Sequence, residues 1–125
     1  MITIGTDIID VARIRACEAA LLRRVLLPAE ADYCKKQADP QQHMAGRFAA
    51  KEAMFKALNA PMPNRITWHD IEVINDERGA PIVQLHGAAA AWAAAQRLRS
   101  TCLTIAHVRD FAVATAVCEW PDKHA

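Results

Sequence analysis

The sequence has no long apolar run, few aromatic residues and almost no net charge, and each scarcity removes a class of protein. No stretch reaches the roughly 20 consecutive apolar residues that a membrane-spanning helix needs, so no membrane role is expected. A formal net charge of +1 gives no global attraction for nucleic acid, and no stacking motif supplies a local one. The four cysteines, Cys17, Cys34, Cys102 and Cys118, form no Cys-x-x-Cys pair, and no histidine near them has a zinc-binding spacing. No signal-peptide pattern opens the chain, so the expectation is free thiols in a reducing cytoplasm.

What is present suits one domain spanning residues 1–125. The length is that of a single domain, and 53% hydrophobic residues suffice for a core. Many alanines and few aromatics point to small, closely packed helices. "ITIGTDII" alternates as a strand, with Ile2, Ile4, Thr6 and Ile8 on one face and Thr3, Gly5, Asp7 and Ile9 on the other. Residues 10–26 read as one helix with a buried side of Val11, Ile14, Leu21 and Leu22. Pro28 opens a second helix, and a long helix runs from about Gln42 to Leu58 until two prolines in "NAPMPNR" end it. The second half changes period. "DIEVIND" and "PIVQLHG" form a hairpin around "DERGA", "AAAAWAAAQRL" is a short helix, and two more strands close the chain around a turn at residues 107–110. These last strands are apolar on both faces, so they need cover on both sides, and another subunit can supply part of it.

"GRFAAKEAMFKAL" (residues 46–58) places a carboxylate where a core residue is expected. Met44, Phe48, Glu52, Phe55 and Leu58 recur at steps of three and four, which puts Glu52 in an apolar stripe. A carboxylate there is costly unless paired or bound to a cation. Asp7 ends a strand just before a helix. It suits a helix cap, and it equally suits one of two hard oxygen donors for Mg²⁺, which takes one or two protein carboxylates and leaves its other positions to water and phosphate. Lys51 and Lys56 flank Glu52. A metal with lysines beside it is a phosphate-binding arrangement, whereas a solvated face with a Glu52–Lys56 pair is the plain alternative.

"IGTDIIDVARI" followed by "GRFAAKEAMFKAL", with "PAEADYC", "WHDIEVINDERGAP" and "LHG" in order, closely resembles the holo-acyl-carrier-protein synthases, the small type of 4′-phosphopantetheinyl transferase. The resemblance covers nearly the whole chain. It implies an α+β fold, an antiparallel sheet packed on a long helix with strands near a trimer axis, and a homotrimer with active sites between subunits. It also implies transfer of the phosphopantetheine arm of coenzyme A to a serine of an apo acyl carrier protein, with release of adenosine 3′,5′-bisphosphate. Asp7 and Glu52 would bind Mg²⁺ together with the coenzyme A diphosphate. Glu52, or a water on the metal, would take the serine proton. Lys56 is the first candidate for the diphosphate; Arg47 and Lys51 are candidates for the nucleotide phosphates, and His107 contacts the nucleotide or is simply an exposed turn histidine. Arg13, Arg23 and Arg24 would meet the acidic carrier, or are simply a solvated basic face. The carrier's pathway stays open. So does a non-catalytic homologue that binds a carrier without modifying it.

The chain departs from the family pattern at two places. A glycine-rich turn after the long helix is replaced by "NAPMPNR", from Asn59 to Arg65. In the penultimate strand, Cys102 stands where the family has a histidine and Ala106 where it has a hydroxyl residue, while His107 keeps a histidine. Proline removes a donor and the lost glycines remove close backbone approach, so contacts with coenzyme A at that loop are put in question.

Overall fold

The fold is described for residues 1–122 of a computed structural model. Strand β1 (Ile2–Asp10) lies at one edge of an antiparallel sheet of order β1-β5-β4, with β5 (Phe111–Glu119) central and β4 (Ser100–His107) at the other edge. Asp7 sits opposite Ala114, and Ile105 opposite the same residue on the far side. The inner face of this sheet is built from small residues. Gly5, Ala112, Ala114, Ala116 and Cys118 are all buried there. Helix α4 (Pro40–Leu58) lies across them with its own buried alanines 45, 49, 53 and 57, one per turn. Smooth surfaces on both sides let helix and sheet approach closely. Gly5 marks the tightest point: a Cβ there would overlap the Ala53 carbonyl and come within 2.9 Å of the Ala57 nitrogen and of the Lys56 Cβ.

The expected helix over residues 10–26 is two helices. Asp10 caps α1 (Val11–Ala16) by accepting from the Ala12 amide at 2.9 Å, and Cys17 leaves helical geometry before α2 (Glu18–Arg24) begins. Apolar spacing is kept across the break, which is why the sequence reads as one element. Helix α3 (Pro28–Lys35) opens at its proline as expected. Helix α4 starts at Pro40, before the expected Gln42, because Asp39 caps it and proline suits the first turn. Asn59 ends it in the left-handed conformation, which asparagine tolerates among non-glycine residues.

The hairpin of β2 (Ile71–Asn75) and β3 (Pro81–Leu85) forms a separate two-stranded sheet, and α5 (Gly87–Ala95) follows. Asp76 closes the hairpin turn by accepting from the amides of Arg78 and Ala80. The outer face of the large sheet is left to solvent in the single chain. Ile2, Ile4, Ile8 and Phe111 are exposed on it, Ile4 by 64%. The two antiparallel sheets, five strands among the described residues, with the helices and their order give the expected α+β architecture.

Candidate functional site

The geometry first reassigns the cap. Because β1 continues to Asp10, it is Asp10 that starts α1, and Asp7 is released from that duty. The half-buried Asp7 side chain instead meets α4. Lys56 Nζ donates to Asp7 Oδ1 at 3.2 Å and to the Thr6 carbonyl at 2.9 Å. The plain Glu52–Lys56 pairing is thus replaced by a link between β1 and α4.

Glu52 lies one turn before Lys56 on α4 and is half-buried, on a rim with Phe48 and Phe55. This corrects the expected stripe. Of that stripe only Met44 and Leu58 are deeply buried, and Ala45, Arg47, Lys51 and Met54 are buried with them. Helix α4 is covered around most of its circumference, so no single apolar period identifies its inner side. One oxygen of Glu52 accepts from the indole N–H of Trp68 at 2.8 Å. Among the described residues, the other Glu52 oxygen and Asp7 Oδ2 have no hydrogen-bond partner. Each carboxylate is therefore anchored through one oxygen and open through the other. No group of three or more His, Cys, Asp and Glu among the described residues makes a complete metal cage. A two-carboxylate oxygen set suits Mg²⁺, whose remaining positions go to water and phosphate.

Lys51 is corrected outright. It is 0% exposed, its ammonium pairs with Glu30 at 2.7 Å, and it donates to the Trp68 carbonyl at 2.9 Å. It cannot reach a nucleotide. Burial draws its pKa below the ordinary lysine value, with the Glu30 carboxylate opposing the shift. Glu30 also accepts from the amides of Leu27 and Val73, so the pair joins α3, α4 and β2.

Arg47 and His107 do come together. With Tyr33, His43, Asn75 and Gly46 they line a cavity of about 210 Å³. Arg47 is only 4% exposed, and its guanidinium donates to Asn75 and lies 4.3 Å from the centre of the Tyr33 ring. Its Nε is buried without a partner. His43 packs edge-on to His107 at 5.0 Å. Burial, then the neighbouring His107 and Arg47, hold the His43 imidazole below its ordinary pKa, with Asp39 opposing. A buried cation beside two imidazoles gives this cavity a chemistry that suits an anion. A second cavity, of about 530 Å³, adjoins Glu52 and is lined by Phe55, Ile66, Trp68, His69 and Arg24. Arg13 and Arg23 are exposed on α1 and α2.

The two departures from the family pattern have local explanations. Cys102 and Ala106 both lie on the outer face of β4, opposite Val117 and Val113, and extend the apolar face. Within residues 59–65, Asn59 takes over the left-handed backbone role of a glycine, and Asn64 closes the loop by accepting from the Ile66 amide. Sequence reasoning misses Trp68, Glu30, His43 and Asn75. Their partners are distant in sequence, and no local periodicity marks them.

Residues 3–116 match the model of the 4′-phosphopantetheinyl transferase superfamily, and the chain belongs to that family. It is 40% identical to the holo-acyl-carrier-protein synthase of Geobacter sulfurreducens, over 94% of this chain and 96% of that one. The ACPS–CoA complex of Chronobacterium ammoniagenes superposes with a TM-score of 0.86 at 26% identity, covering 98% and 99% of the two chains. The Helicobacter pylori holo-acyl-carrier-protein synthase in complex with coenzyme A superposes at 0.80 with 31% identity, covering 93% and 99%.

Proposed function

We propose that this protein transfers the 4′-phosphopantetheine arm of coenzyme A to a serine hydroxyl of an apo acyl carrier protein, releasing adenosine 3′,5′-bisphosphate. The observation that carries this reading, in a chain of this family, is that Lys56 meets Asp7 where β1 crosses α4, one helical turn from Glu52, each carboxylate keeping one oxygen without a partner among the described residues. Those two oxygens would hold Mg²⁺. When bound, the ion neutralises the diphosphate, and phosphoryl transfer depends mainly on such neutralisation and on in-line positioning. Lys56 is exposed and turns from Asp7 to a diphosphate oxygen. The Arg47–His43–His107 cavity takes the remaining nucleotide phosphate, and the apolar cavity beside Glu52 takes the uncharged pantetheine portion. With one Glu52 oxygen on Trp68 and the other given to Mg²⁺, a water rather than Glu52 would be the acceptor for the serine proton.

The apolar outer face of the large sheet supports a homotrimer, because isolated chains rarely leave such a contiguous surface uncovered. Exposed Arg13, Arg23 and Arg24 suit an acidic carrier. Among the described residues no helix is long and apolar enough to cross a membrane, and the cysteines are unpaired, which suits the cytoplasm.

The test is mass spectrometry of an apo carrier protein incubated with coenzyme A and Mg²⁺. One phosphopantetheine increment is expected on the serine, lost on chelation, and slowed about hundredfold or more by Glu52→Gln. An unmodified carrier across a panel of apo carriers leaves only a binding homologue.

A further inference from the structure

We infer that Trp68 is a positioning residue for the metal-binding carboxylate Glu52, and that the buried Glu30–Lys51 pair exists in part to set it. The inference rests on the proposed metal role of Glu52.

Trp68 is restrained from three directions. Its indole N–H donates to Glu52 at 2.8 Å. Its ring packs on Phe48, one turn before Glu52 on α4, with centroids 5.9 Å apart. Its carbonyl accepts from the Lys51 ammonium at 2.9 Å, and Lys51 is itself fixed by Glu30 at 2.7 Å with no exposure to solvent. The segment around it is closed as well: Asp70 accepts from the Thr67 amide and donates its own amide to the Thr67 carbonyl. Packing alone would need only the ring. The N–H instead reaches a carboxylate that no cation of the described residues neutralises.

The chemical consequence concerns the free oxygen. A glutamate on a helix rim has several rotamers, and ordering it on metal binding costs entropy. The indole selects one orientation beforehand and blocks bidentate use of the carboxylate. Partners of this kind around metal ligands are typically worth about tenfold to hundredfold in metal affinity. Lys51 adjoins Glu52 in sequence but points the other way, so it acts on the site through the Trp68 backbone and not by charge contact.

The experiment reads metal binding directly. Free Mn²⁺ is followed by electron paramagnetic resonance during titration of the full chain with coenzyme A present. Trp68→Phe keeps the ring packing and removes the donor; it is expected to weaken Mn²⁺ binding about tenfold to hundredfold. Raising Mg²⁺ should restore its turnover with the KM for carrier unchanged. Trp68→His, which keeps a ring N–H, should recover part of the affinity. The metal-dependent change in tryptophan emission should vanish in Trp68→Phe, since Trp92 and Trp120 line a different cavity. If Trp68→Phe binds Mn²⁺ like the wild type while Glu52→Gln does not, Trp68 has no positioning role and the metal site stands. If Trp68→His recovers no affinity over Trp68→Phe, a ring N–H at this position does not set Glu52 and the inference is overturned. If wild type and Glu52→Gln bind Mn²⁺ equally, the metal role itself fails and the inference falls with it.

Discussion

Arg47 holds a guanidinium almost fully out of water, with Asn75 and the face of Tyr33 as its partners and one N–H unanswered. The residue lines the cavity of about 210 Å³. The same cavity contains His43, whose pKa burial, His107 and Arg47 all depress. In the free protein this lowers stability as pH falls through the histidine range, because the unfolded chain takes up the proton more readily. An anion reverses the balance by favouring the imidazolium. Adenosine 3′,5′-bisphosphate should therefore bind more tightly as pH falls from about 8 to about 6.5, above the second phosphate ionisation near 6. His43→Gln should flatten that slope, and Arg47→Ala should weaken binding at every pH. Calorimetry across the range checks both; a slope unchanged in His43→Gln would remove His43 from the site.

Among elements, the Glu30–Lys51 pair is the joint between α3, α4 and β2. It also shows why charged residues on α4 resist reading from sequence. Arg47, Lys51 and Lys56 all look like surface residues of an alanine-rich helix, yet Arg47 and Lys51 are buried. Their fates depend on what packs against each side, and those partners come from segments far along the chain. Lys51→Met should lower stability by about 3–5 kcal/mol, since it leaves Glu30 buried without its counter-charge. Lys56→Met, at an exposed pair with Asp7, should change stability by about 1 kcal/mol or less. Denaturant midpoints at one fixed protein concentration measure the contrast. Equal losses in the two variants would mean that Lys51 is not the structural lysine.

For the whole molecule, the exposed face of Ile2, Ile4, Ile8 and Phe111 sets the expected assembly. The wild type should scatter light as a trimer, and Ile8→Glu should reduce its mass toward the monomer by placing a charge in a desolvated contact. A wild-type monomer at micromolar concentration would rule out the shared site. Carrier docking belongs to the same scale. Arg13→Glu should raise the KM for carrier more than Arg13→Ala does, leave the KM for coenzyme A nearly unchanged, and lose its effect at high salt. Equal loss of coenzyme A affinity in both variants would place Arg13 in the nucleotide site.

By itself the sequence determined the local grammar: alternation in β1, Pro28 as a helix start, the Asp76–Ala80 turn, the closing strands, and the ordered pair of motifs around Asp7 and Glu52. These depend on neighbours a few residues apart, or on the spacing of two motifs in the chain. Tertiary structure decided that Asp10 and not Asp7 caps α1, that Lys51 faces Glu30, that Lys56 crosses to β1, and that Trp68 holds Glu52. Side chains on a helix buried around most of its surface have no outside to default to. Their partners are chosen by which distant segment packs there, and only the folded chain brings those segments together.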